Sequence, residues 1–128
     1  MLAMPIERSS ALRVAPSARD ITLALCPNVR SLTDEAFLAG LLHDVGQVVL
    51  AGVSPMASQD LERQATAELL PLRAVKARQG LVSHAIVGAY LLSLWRLSSS
   101  VVEAVACHHT PERLAGWHAR FGAFVNAA

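Results

Sequence analysis

Apolar positions recur along this chain at intervals of three and four residues, the period of a helix. No segment shows the two-residue alternation of a half-buried strand, although Val48 and Val49 form a short strand-like piece. The spacing of Leu12, Ala15, Ala18, Ile21 and Leu25 predicts helix over 6–26, with a kink or a division into two short helices at Pro16. Residues 28–32 read as a turn, and Thr33 as the N-cap of a helix that buries Phe37, Leu38, Leu41 and Leu42 and ends near His43. A short helix over 45–51 follows, then a loop over 52–55. Ser58 caps a helix to about Leu70, and Pro71 opens one to about Gln79, stopped by Gly80. Ser83 caps a helix whose face holds Ile86, Val87, Tyr90, Leu91, Leu94 and Trp95, with Tyr90 and Trp95 in the core or at its rim. Ser98 or Ser99 caps another, carrying Val101, Val102, Val105 and Ala106 and ending at His108 and His109. Pro111 allows a last helix from near Glu112. About seven helices with short connections give an all-α, non-coiled-coil bundle.

The 128 residues suit one domain over 1–128, and 53% of them are hydrophobic, enough for a real core. The apolar pattern of Phe121 to Ala128 runs on without a C-cap glycine, which suggests a piece of a longer protein. Eleven basic and ten acidic residues are scattered, so there is no electrostatic footprint for nucleic acid. Cys26 and Cys107 form no CxxC pair and read as small buried groups in a reducing compartment. The apolar runs are broken short of a membrane span and no signal peptide precedes them, so the expected location is the cytoplasm, away from membranes.

Within this pattern "GLLHDVGQ", residues 40–47, sets His43 and Asp44 at the end of an apolar run, where a bare carboxylate is costly. His84, His108 and His109 also fall at expected helix ends, whereas His118 lies in a polar stretch and reads as surface. If the bundle brings those ends together, the imidazoles and the carboxylate suit a divalent iron, manganese, nickel or zinc ion. Adjacent His108 and His109 point about 100° apart on a helix and so serve a metal differently. For any one histidine alone the helix dipole is the preferred explanation, and for Asp44 alone capping of the helix from Val45 is a strong rival to metal binding. Ser98 to Ser100 read as caps, since no acid–histidine pair is near them in sequence.

"AFLAGLLHDVGQVVL" followed by "SHAIVGAYLLSLWRLSSSVVEAVACHHTPERL" resembles the HD superfamily of metal-dependent phosphohydrolases, and more closely its HDOD branch of bacterial signalling domains. The resemblance covers most of the chain from Glu35 onward, and "SALRVA" resembles the segment that carries the family's first histidine. It implies an orthogonal helical bundle of the HD-domain type around a mono- or dinuclear metal site. It makes His43 and Asp44 the metal-binding doublet, and matches His84 and His108, with His109 adjacent, to histidines that hold a second metal or phosphate. Three positions depart from the active pattern: Ser10 stands for the first histidine, Asn126 for the late aspartate, and Gln47 for the lysine after the doublet. The expectation is therefore an output domain without established catalysis, acting through protein or ligand contacts at a degenerate metal site. The alternative is a phosphohydrolase acting on a nucleotide or cyclic dinucleotide, with Asp44 in its catalytic centre, and the third reading is a purely structural helical module. The implied partners are other signalling domains or proteins, a receiver domain in the same chain, a nucleotide ligand and a second copy of the chain.

Overall fold

In the computed structural model, the backbone is described over residues 5–113 and the side chains from residue 11 onward. The side chain of Ser10, together with His118, Asn126, the apolar pattern of 121–128 and the continuation of the last expected helix, lies outside that description. Among the described residues there are seven α-helices and no strand: α1 (Pro5–Leu25), α2 (Arg30–Leu42), α3 (Val45–Val53), α4 (Pro55–Glu68), α5 (Leu72–Arg78), α6 (His84–Leu94) and α7 (Ser99–Ala106). A single 3-10 turn follows at Pro111–Arg113. The all-α bundle expected from the sequence is what forms, and Val48 and Val49 are helical.

Small residues rather than large ones make the closest contacts. On α1, Ala15, Ala18 and Thr22 are buried against α2, which buries Leu32, Thr33, Ala36, Ala39 and Gly40. A Cβ on Gly40 would lie 2.8 Å from the Ala15 Cα, so the two backbones nearly touch. The expected α2 stripe of Phe37, Leu38, Leu41 and Leu42 is corrected accordingly. Leu38 and Leu42 flank the core and Leu41 is exposed, because close backbone approach admits only small side chains on the contact line. The same packing holds α1 as one helix through Pro16. On that helix Leu12 and Leu25 face water, against expectation.

Other boundaries moved for local reasons. Thr33 is not a cap; α2 begins three residues earlier, and the Thr33 hydroxyl donates to the Val29 carbonyl. α4 begins at Pro55, whose fixed φ suits a first turn, so only Ser54 separates it from α3 and Ser58 lies within it. Gly80, at φ +67°, ends the α5 segment as expected. Ser83 caps α6 by accepting from the Ala85 N–H, also as expected.

α6 lies against α3 and α7, and α7 also against α2. Its inward residues are His84, Ala85, Gly88, Ala89 and Leu92. That is nearly the reverse of the expected face: Ile86, Tyr90, Leu94 and Trp95 are all more than half exposed, so neither Tyr90 nor Trp95 is core. On α7 the buried positions are Val101, Ala104 and Val105. Leu92, Val101 and Val105 join Ala18, Leu32, Ala36, Ala39 and Ala104 in the central cluster. Cys26 and Cys107 are half-buried and unpaired rather than fully inside.

Judged by length and hydropathy alone, Arg30–Val53 is apolar enough to cross a membrane, which corrects the expectation that every apolar run falls well short. In the fold this stretch is two helices, α2 and α3, that meet at His43 and Asp44, and one face of α2 lies in the core.

Candidate metal centre

Three helix junctions deliver the centre. α2 gives way to α3 across only His43 and Asp44, with the Gln47 N–H donating to the Asp44 carbonyl. Capping by Ser83 starts α6 at His84, and the turn after α7 carries His108 and His109, closed by the Thr110 N–H on the Cys107 carbonyl. What joins these ends is glycine. A Cβ on Gly46 would overlap the His84 carbonyl oxygen and sit 2.7 Å from the Gly88 nitrogen. A Cβ on Gly88 would meet the Gly46 nitrogen at 3.2 Å. The first turns of α3 and α6 therefore cross backbone to backbone, which places Asp44 beside His84.

The four helix-end histidines and Asp44, far apart in sequence, converge. His43 Nε2 is 3.1 Å from Asp44 Oδ2, His84 Nε2 is 3.2 Å from Asp44 Oδ1, and His108 Nε2 is 3.8 Å from the same oxygen. His109 Nε2 is 3.1 Å from His84 Nε2. The imidazoles of His108 and His109 have centroids 3.9 Å apart, so the neighbours share one site. His43, His84 and His108 are buried, the Asp44 side chain is 18% exposed, and His109 is at the open rim. Asp44 occupies the N-cap position of α3, but its carboxylate makes no capping bond there; it is turned to the histidines instead, which corrects the capping explanation of its burial.

Backbone carbonyls set which nitrogen faces inward. Val105 O lies 2.7 Å from His108 Nδ1, and Gly40 O lies 2.7 Å from His43 Nδ1. A carbonyl only accepts, so each Nδ1 carries a hydrogen; Nε2 then turns a lone pair inward when the ring is neutral and donates when the ring is protonated. This is the arrangement that orients metal-binding imidazoles. Buried His108 Nε2 has no hydrogen-bond partner. His43 Nε2 points at a carboxylate, an opposition of lone pairs unless a proton or a cation lies between them. Burial works against charge on His43, but hydrogen bonding and attraction to Asp44, helped by the Gly40 carbonyl, raise its pKa. Burial likewise opposes ionisation of Asp44, yet hydrogen bonds from His43, His84 and Gln47 hold it far below the usual carboxylate range. Burial, with the neighbouring imidazoles, depresses His108 to about 4. Burial, His84 and Arg73 lower His109.

These donors fit a cation. One ring nitrogen from each of His84, His108 and His109 lies within 4.8 Å of the others, and Asp44 Oδ1 is 3.2 Å from His84 Nε2 and 3.8 Å from His108 Nε2. A tetrahedral ion with bonds of about 2.0–2.1 Å needs donors a little over 3 Å apart; the His84–His109 and His84–Asp44 separations of 3.1 and 3.2 Å match this, and His108 Nε2, 3.8 Å from Asp44 Oδ1, would have to move inward slightly. Three imidazoles and one carboxylate suit borderline metals such as zinc, iron or nickel. Sequence reasoning missed two contributors. Gln47, read only as a departure, hydrogen-bonds Asp44, and Arg73 on α5 is close enough to depress His109. Gln47 was legible, three residues from the doublet on the same helical turn; no local signal pointed to Arg73.

An all-helical bundle with a buried histidine–aspartate centre at three helix junctions defines the class of this protein. The family model for the HDOD domain matches residues 8–111, and the chain belongs to that family. An uncharacterized protein of Treponema pallidum (strain Nichols) is 28% identical over 87 residues, covering 68% of this chain. The chain spans only 17% of that relative's length. No solved structure gives a significant match.

Proposed function

We propose that this chain is a regulatory HD-type module that holds one divalent metal for structure or ligand sensing and does not hydrolyse phosphoesters. The observation that carries this reading is the orphaned, buried His108 Nε2, fixed by Val105 and aimed into a group of imidazoles beside an ionised Asp44. His84, His108, His109 and Asp44 would hold the ion, with His43 on the far carboxylate oxygen. A metal at such a centre acidifies bound water when a coordination position is open to it. Against hydrolysis stand Ser10 and Asn126, which replace an imidazole and a carboxylate with neutral oxygens. Gln47 replaces a cationic lysine, and here it serves Asp44. The family membership supports a place in signalling, and the much longer relative supports a module within a longer chain. A receiver or other signalling domain in that chain, a cytoplasmic location and a nucleotide ligand at the rim near His109 are part of the same proposal.

The test is metal content of protein purified without chelator, paired with hydrolysis assays. We expect about one metal per chain in the wild type and much less in His108→Ala. We expect no turnover of an aryl phosphodiester or of cyclic dinucleotides with added manganese, iron or nickel. Turnover abolished by Asp44→Ala would establish a phosphohydrolase instead. Absence of metal from both proteins would leave a purely structural histidine cluster.

A further inference from the structure

The outer face of α6 is used neither by the core nor by the histidine centre. Ile86, Tyr90 and Leu94 succeed one another at four-residue spacing on the helix and are 51, 67 and 61% exposed; Val82, two residues before the helix begins, and Trp95 at its end are each 59% exposed. No residue from Ala85 to Trp95 is charged. We propose that this row is a self-association face, on which a second copy of the chain packs its own α6 antiparallel across a two-fold axis.

Area supports a second copy. A tyrosine or tryptophan carries about 150–250 Å² of surface, so the five side chains together leave on the order of 500 Å² of apolar surface in water. That is near the upper end of the largest patch on a typical monomer, about 300–600 Å². It would form the apolar centre of an interface of about 800 Å² per partner. Charge supports the same occupant and fixes its direction. A two-fold contact sets a face against its own copy, so a charge near the axis would meet its like, and this row has none. Exposed Arg96 stands at the C-terminal end of α6. An antiparallel arrangement sends the two Arg96 side chains to opposite ends; a parallel one would bring them together. Side chains four apart form the ridge that packs into its counterpart at a crossing angle of about 50°, which centres the contact on Ile86 against the partner's Tyr90. This inference is independent of the metal reading.

The experiment is sedimentation equilibrium of the full 128-residue chain from low micromolar to about 100 μM, a range that captures weak dimers. The expected result is a reversible dimer. Ile86→Asp and Tyr90→Asp should weaken it about 100-fold or more, because each would bury an unpaired carboxylate at the centre. Both side chains face water in the single chain, so far-ultraviolet circular dichroism should be unchanged; if either variant unfolds, Tyr90→Ala gives the same reading with a smaller effect. Leu12→Asp, at an exposed apolar position on α1, should dimerise like the wild type. A wild type that stays monomeric throughout, or a dimer indifferent to substitutions at both Ile86 and Tyr90, overturns the proposal.

Discussion

Gly46 and Gly88 fix the centre as firmly as its ligands do. The first turns of α3 and α6 touch through these two residues, and a methyl group on Gly46 would fall on the His84 carbonyl. Gly46→Ala should therefore cost about 2–3 kcal/mol, because backbone cannot yield as a flexible side chain can. Gly88→Ala should cost less, since its nearest contacts are 3.2 Å away. Thermal unfolding of the two variants checks the order. Protons act at the same scale. In metal-free protein His108 titrates near 4 when folded against 6.5 as the reference, so the unfolded chain binds the extra proton between those values. Stability from this residue is thus lost as pH falls from about 6.5 to about 4, at up to about 1.4 kcal/mol per pH unit. His43 acts in the opposite sense: its raised pKa gives stability that is complete below about 6.5 and is lost as pH rises through its folded value. Asp44 contributes above about 4 and weakens the fold only in stronger acid. Denaturant unfolding of chelator-treated protein across pH 4–7 should show the acid-side slope, and His108→Gln should flatten it.

At the scale of elements, caps and chain reversals set where the helices stop. Ser83 satisfies the Ala85 N–H and thereby fixes the start of α6 at His84. Ser83→Ala should cost about 1 kcal/mol, and should also lower metal affinity, because the first turn it holds presents His84; calorimetric unfolding and metal titration read the two effects. Leu69 ends α4 at φ +53°, a left-handed conformation unfavourable to a branched side chain, and is 91% exposed. Leu69→Gly should stabilise the protein by about 0.5–1 kcal/mol, since relief of the backbone strain outweighs the little packing that so exposed a side chain provides. A raised midpoint in thermal unfolding is the expected result. Pro16 shows the converse: a residue that breaks helices locally lies inside α1, because Ala15, Ala18 and Thr22 pack that helix onto α2.

For the whole molecule, the centre ties together α2, α3, α6 and the turn after α7, so its occupation should be felt globally. A metal that binds only the folded chain stabilises it by mass action, about 2.7 kcal/mol at a hundredfold excess over its dissociation constant. Stoichiometric zinc or nickel should therefore raise the unfolding midpoint of the wild type by several degrees and leave His84→Ala nearly unmoved. An equal rise in both would place the ion elsewhere.

The sequence by itself determined the helical class, most connections, the cap at Ser83 and the roster of histidines with Asp44. These rest on local chemistry: three- and four-residue periodicity, proline and glycine at turns, a serine before a helix. It did not determine which face of a helix is inside. In α6 nearly every position is apolar or small, so periodicity could not choose between Ile86, Tyr90 and Leu94 and the line of Ala85, Gly88, Ala89 and Leu92. Tertiary structure chose the second, because Gly88 must meet Gly46 and only small residues admit that approach. The same contact decided that Asp44 turns its carboxylate to His43 and His84 rather than capping α3. The 3.2 Å between Asp44 and His84, forty positions apart in the chain, is set by the crossing of two helices, which no local preference encodes.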